Sequence, residues 1–98
     1  MPDKTLVDLL GRSLVLHDHT WFGHISKRHP DMRLLRSRAE SAVTHPLRIC
    51  FSASDPQCRI YYGVTATPGI MVAVIGDVAG GFIRTAYRTG KIKGTPEW

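Results

Sequence analysis

From Leu47 onward the hydrophobic period changes from helical to extended, and no other feature constrains the fold as much. Four β-prone runs come in close order: Arg48 to Ala53, Arg59 to Val64, Ile70 to Gly76 and Gly81 to Tyr87. The breaks between them, Ser54-Asp55-Pro56, Thr67-Pro68-Gly69 and Asp77 to Gly80, are turn chemistry. Connections this short cannot carry a crossover, so the pattern predicts a four-stranded antiparallel meander. The third run is apolar on both faces, Ile70, Val72 and Val74 against Met71, Ala73 and Ile75, which marks it as central.

Upstream, Thr5 to Leu10 and Ser13 to His17 flank Gly11-Arg12 and predict a hairpin with a short turn. Asp18 or Thr20 caps a helix through Trp21, Phe22, Ile25 and Arg28, stopped by Pro30. A second helix is predicted from Asp31 to Thr44, ended by Pro46. Met32, Leu35, Ala39, Ala42 and Val43 form its buried stripe, and Arg33, Arg36, Ser37, Glu40 and Ser41 face water. Arg36 and Glu40, one turn apart, are expected to pair, for a few tenths of a kcal/mol. The expected whole is one α+β domain over 1–98. It has an N-terminal β-hairpin (1–18), two helices (20–45), a four-stranded antiparallel meander with the helices on one face (47–88) and a polar tail (89–98). The other face of the sheet lacks an evident cover, and there rigid strands can present side chains to a ligand.

Composition narrows the partners. Hydrophobic residues make up 43% and charged residues 21%, a balance that excludes a disordered chain. The longest apolar run, Ile70 to Ile75, is strand-sized, so no membrane partner is expected. The charged start, with Asp3, Lys4 and Asp8, lacks a signal core, and a cytoplasmic location is the expectation. Cys50 and Cys58 have no metal-ligand spacing and read as small apolar residues. The net charge is +5, and nine of the thirteen cations are arginine, whose planar fork grips phosphate. A polyanionic partner is what this favours.

Four of the five histidines fall between His17 and Pro30. On an α-helix His24 and Arg28 share a face, with Lys27 beside them. Metal-free RNA cleavage needs a base for the 2′-hydroxyl, an acid for the leaving oxygen and fixed cations for the charge developing on phosphorus. Histidine suits either proton role and arginine supplies the clamp. Three imidazoles, His17, His19 and His24, are a zinc-like number, but the spacing is no recognised zinc signature and neither metal nor cofactor is expected. On the last strand, alternation puts Arg84 with Phe82 and Ala86, and Thr85 with Ile83 and Tyr87. Thr85 and Tyr87 can hold or protonate a phosphate oxygen, and Arg88 can reach backbone phosphate. Arg59 and Tyr61 share a strand face where Tyr61 can stack a base. The plainer alternatives are that His24 packs its helix, that Lys27 and Arg28 are merely solvated, and that Thr85 and Tyr87 are ordinary strand formers.

These pieces, in this order, resemble the phage nuclease-like domains grouped with barnase, EndoU, colicin and RelE. The residues that carry the resemblance are Gly11-Arg12 before an apolar strand, Trp21-x-x-His24-Ile25 and Arg28-His29-Pro30-Asp31. They continue with a helix reaching Pro46 and Ile49, Arg59-Ile60-Tyr61-Tyr62, and Thr85-Ala86-Tyr87. The resemblance implies a metal-independent endoribonuclease, toxin-like and of phage or prophage origin, with a protein inhibitor such as an antitoxin or immunity protein. It also implies catalytic residues at His24, Arg28, His29, Thr85 and Tyr87, with His24 as base or acid and Arg28 on the phosphate. Lys27, Arg59, Tyr61, Arg84 and Arg88 are the expected substrate-binding residues. Asp31 stands where an acidic residue is expected and reads as a helix cap. The alternatives are a non-catalytic RNA-binding or partner-binding module and an accessory domain of a phage structural protein.

Overall fold

Gly11 reverses the chain early. The computed structural model describes residues 3–98, so the first two residues of the expected hairpin segment 1–18 lie outside the described residues. Strands β1 (Lys4–Val7) and β2 (Ser13–Leu16) pair antiparallel, Lys4 opposite Leu16 and Val7 opposite Ser13. Gly11 has a φ of 89°, a conformation that a Cβ makes costly. β1 stops short of the expected Leu10 because Asp8 turns inward. Its carboxylate accepts the backbone N–H of Leu10 and of Arg12 and so closes the turn.

The next helical segment, 18–28 (α1), is α-helical over Asp18–Thr20 and Ser26–Arg28 but π-helical over Trp21–Ile25. The Ser26 N–H reaches the Trp21 carbonyl, five residues back. This wider turn seats both Trp21 and Ile25 in the core, and fully burying such side chains is worth about 1.5–3 kcal/mol each. Pro30 ends the segment as expected, but the second helix does not begin at Asp31. Pro30–Met32 is a 3-10 turn, and α2 spans Arg36–Thr44. The Met32 and Leu35 N–H groups bond three residues back, to the His29 and Met32 carbonyls, which an α-helix from Asp31 would use otherwise. Leu34 is consequently 94% exposed, and Asp31 lies 3.7 Å from Arg88. Arg36 pairs with Glu40 at 3.3 Å as expected but does not face water. It reaches back to Asp18 at 3.0 Å and lies over the rings of Trp21 and Phe22.

The sheet holds the four expected strands, β3 (Arg48–Phe51), β4 (Cys58–Val64), β5 (Met71–Asp77) and β6 (Phe82–Thr89), joined antiparallel. It is not a four-stranded meander, however. The hairpin joins it through a parallel β2–β6 pairing, giving a six-stranded mixed sheet of order β1-β2-β6-β5-β4-β3. That pairing is confined to Val15 opposite Phe82, and α1 lies against the rest of β6. One sheet face packs on both helices through Trp21, Ile25, Ala42, Val43, Ile49 and Val72. The fit is closest at Gly63, where an added Cβ would sit 2.6 Å from the Ala42 Cβ.

The other face carries a smaller cluster of Cys50, Tyr62 and Ala73 with Ile60, Met71 and Tyr87. Both cysteines are buried free thiols. The expected tail is not a loose end. Phe51 N–H donates to the Thr95 carbonyl and Glu97 N–H to that of Ile49, so the last residues run along the open edge of β3 and satisfy its backbone groups. Glu97 then accepts from both Arg12 and Arg59. Among the described residues, no helix is long and apolar enough to cross a membrane.

Candidate active-site cleft

Pairing between β5 and β6 shifts between Ile75 and Gly76: Ile75 faces Thr85, but Gly76 faces Ile83. Arg84 is therefore the extra residue of a β-bulge, a device that re-aims a side chain. The simple alternation expected for this strand is corrected accordingly. Ile83 and Ala86 both enter the helix-side core, while Tyr87 joins the cluster on the opposite face. Thr85 shares the face of Tyr87, and Arg84 leaves the strand toward the β3–β4 loop. There its Nη1 donates to Asp55 at 2.6 Å and to the Cys58 sulfur at 3.5 Å.

A cleft of about 780 Å³ opens on this face, within the range of ligand sites. One wall is α1, which contributes His19, Thr20, Gly23 and His24. The opposite wall is the β3–β4 loop, with Ser52, Ser54 and Asp55. Cys58, Ile75 and Thr85, on three neighbouring strands, form the floor, and Arg84 closes one side. An added Cβ at Gly23 would meet nothing within 4 Å, so this part of the helical wall is bare backbone. Burial pushes the Cys58 thiol up, which keeps it protonated at neutral pH and unsuited to act as a nucleophile. Next to the cleft, the His29 and Tyr87 rings lie 6.0 Å apart and tilted by 41°. The cleft thus brings the imidazoles of His19 and His24, serine and threonine hydroxyls from both walls and the floor, the Asp55 carboxylate and the Arg84 guanidinium to a common space.

No known protein family, characterised protein or solved structure matched the chain.

The residues predicted from sequence divide into three groups. His24, Thr85 and Arg84 line the cleft, and His29 and Tyr87 form the adjoining pair. Lys27 and Arg28 are exposed at the end of α1 and do not line it. His24 lines the cleft from the π-helical segment, whereas Lys27 and Arg28 belong to the α-helical turn that follows and project to solvent. The remaining three lie elsewhere. Tyr61 is fully buried with its hydroxyl on Asp8, so it cannot stack a base. Arg59 is taken up by Glu97 at 3.0 Å, by the Pro56 and Cys58 carbonyls and by the Phe51 ring. Arg88 is on the helix side of the sheet, where it lines a separate cavity with Asp31 and Leu35.

Sequence reasoning missed His19, Ser52, Ser54 and Asp55 as cleft residues. His19 stood within the histidine-rich segment that drew attention to His24. The other three read as turn formers, and nothing local distinguishes a turn that borders a cleft from one that does not. Among the described residues, no three His, Cys, Asp or Glu side chains come together so as to hold a metal ion.

Proposed function

We propose that the chain is a metal-independent endoribonuclease, as its resemblance to the barnase, EndoU, colicin and RelE grouping implies, and that the cleft beside α1 is its active site. The observation that carries the reading is the meeting of His24 and His19 from the helix with Thr85 and Arg84 from β6 around one open, phosphate-accessible space. Such a constellation supplies each part that RNA transesterification requires.

The 2′-oxygen bonds to phosphorus as the bond to the 5′-oxygen breaks, leaving a 2′,3′-cyclic phosphate and a free 5′-hydroxyl. One imidazole takes the 2′-hydroxyl proton and the other delivers a proton to the departing oxygen. The Thr85 hydroxyl donates a hydrogen bond to a phosphoryl oxygen as its charge grows, and the Arg84 guanidinium steadies the RNA backbone beside it. Tyr87, one step further along the same strand face, and His29 beside it at the end of α1 hold the neighbouring nucleotide.

The test is incubation with single-stranded RNA in excess chelator. Cleavage to cyclic-phosphate ends is expected, slowed about 10²- to 10⁴-fold in His24→Ala. Intact RNA, or equal cleavage by the variant, would overturn the assignment. Salt-sensitive binding without turnover would instead identify a non-catalytic RNA-binding module.

A further inference from the structure

The Arg84 guanidinium is only half used. Its hydrogen bonds to Asp55 and to the Cys58 sulfur both leave from Nη1. Among the described residues, Nε and Nη2, the two donors of one flat edge, make no hydrogen bond, and the side chain is 46% exposed on the cleft. An arginine edge with two parallel N–H groups matches two oxygens of one phosphate. Asp55, on the β3–β4 loop, accepts from Nη1 at 2.6 Å and fixes the direction in which that free edge points.

Two hydroxyls stand on the same loop. Ser52 Oγ and Ser54 Oγ lie 3.3 Å apart, bonded to one another, and both border the cleft. A hydroxyl pair of this kind can turn its protons to an arriving anion at little cost. His24 and His19 belong to the helical wall, and Arg84, Ser52 and Ser54 to the loop side. A single-stranded chain, with its successive phosphates, can engage both sides.

We infer that the Nε–Nη2 edge of Arg84, with the Ser52 and Ser54 hydroxyls, forms a second phosphate subsite for a single-stranded phosphodiester chain, and that Asp55 is its positioning residue. This deepens the ribonuclease reading and rests on the same cleft. The subsite binds the phosphate next to the one being cleaved, so it selects polynucleotides over single nucleotides.

The experiment is equilibrium binding of a short oligodeoxythymidine to the full chain at several salt concentrations. The probe lacks a 2′-hydroxyl, so the proposed chemistry cannot cleave it. Arg84→Ala is expected to weaken binding about tenfold or more and to flatten the plot of log affinity against log salt by about 0.7, the contribution of one phosphate contact on a single strand. Arg84→Lys keeps the charge but loses the flat edge, and a comparable loss of affinity is expected. Asp55→Ala, which releases Nη1, is expected to weaken binding severalfold, about as a lost hydrogen bond to a charged group does, and Asp55→Asn, which can still accept from Nη1, to rescue it; wild-type affinity in Asp55→Ala overturns the positioning role. Arg84 is exposed, so unchanged thermal melting serves as the folding control. Wild-type affinity in Arg84→Ala, or in Arg84→Lys, overturns the subsite, because then either the residue or its fork is not used. A chain that binds the probe through Arg84 yet leaves RNA intact fails only as a ribonuclease. One that cleaves RNA while Arg84→Lys binds normally fails only in this subsite.

Discussion

The Tyr61 hydroxyl donates a 2.6 Å hydrogen bond to Asp8, joining the middle of β4 to the turn after β1 in a site closed to water. Burial works against the charge on Asp8, yet the hydrogen bonds from Tyr61 and from Arg12 outweigh it and hold the carboxyl below its ordinary range. Burial first, and Asp8 second, push the Tyr61 phenol up, so it remains a donor. Tyr61→Phe removes one of several donors to a buried carboxylate. The expected loss is about 1.5–3 kcal/mol of unfolding free energy, the worth of a hydrogen bond to a charged group. Urea denaturation checks it; a variant as stable as wild type would show the bond to be idle.

The same cluster makes stability depend on acid. Arg12 donates two hydrogen bonds to Glu97, at 2.9 and 2.6 Å, and Arg59 donates a third. Arg12 chiefly, then Arg59, holds the Glu97 carboxyl below its usual range. A carboxyl with a depressed folded-state pKa contributes stability that is complete above its unfolded-state value and lost as the pH falls through the folded one. The ordinary values here are 4.5 for Glu97 and 3.8 for Asp8. Unfolding free energy should therefore begin to fall as the pH drops below 4.5 and go on falling below 3.8. Glu97→Gln should flatten the upper part of that decline. Parallel pH profiles for the two proteins would rule the cluster out as the cause.

Local chemistry in the sequence carried the strands β3 to β6 and the hairpin, because each break holds Gly, Pro, Asp or Ser at a turn and each run has a strand's period. What it did not carry depends on residues far apart in the chain. Val15 and Phe82 are far apart in the chain, and no window around either residue records their parallel pairing. The Arg12–Glu97 pairing spans nearly the whole chain, so the tail read as loose when it is an edge cover. The π-turn and the Arg84 bulge each insert one residue's worth of phase, which a fixed period of 3.6 or 2 overlooks. For the site, residue types pointed to His24, Thr85 and Arg84, but they could not tell that Arg28 at the end of α1 lies outside the cleft. Arg59 and Tyr61 were lost to a charge cluster that only the fold assembles.

Helix α2 crosses β4 where Gly63 has no side chain. A Cβ there would lie 2.6 Å from the Ala42 Cβ and 2.8 Å from its Cα. Neither contact can be relieved by turning a flexible side chain, so the helix must move off the sheet. Gly63→Ala is expected to cost about 1–3 kcal/mol, as overpacking does. Ala42→Gly removes the Cβ contact but keeps the Cα one and adds the cost of a helical glycine, about 1 kcal/mol, so a partial recovery in the double variant, measured against Ala42→Gly alone, would tie the loss to this contact. No recovery would place its cause elsewhere.

Two arginines compete for the phosphate in the proposed reaction, and their surroundings separate them. Arg28 stands exposed at the end of α1, outside the cleft, whereas Arg84 borders the cleft on a bulge that turns it out of the strand. An arginine edge bonded to a phosphate of the bound chain contributes about tenfold or more, while an exposed surface charge contributes within about fivefold. Arg84→Ala should therefore lower kcat/KM for RNA by the larger factor and Arg28→Ala by no more than the smaller. Steady-state cleavage of one RNA by both variants decides the matter. If Arg28→Ala is the crippled enzyme, RNA must approach along the outer side of α1, and the cleft beneath His24 is not where the bond is cut.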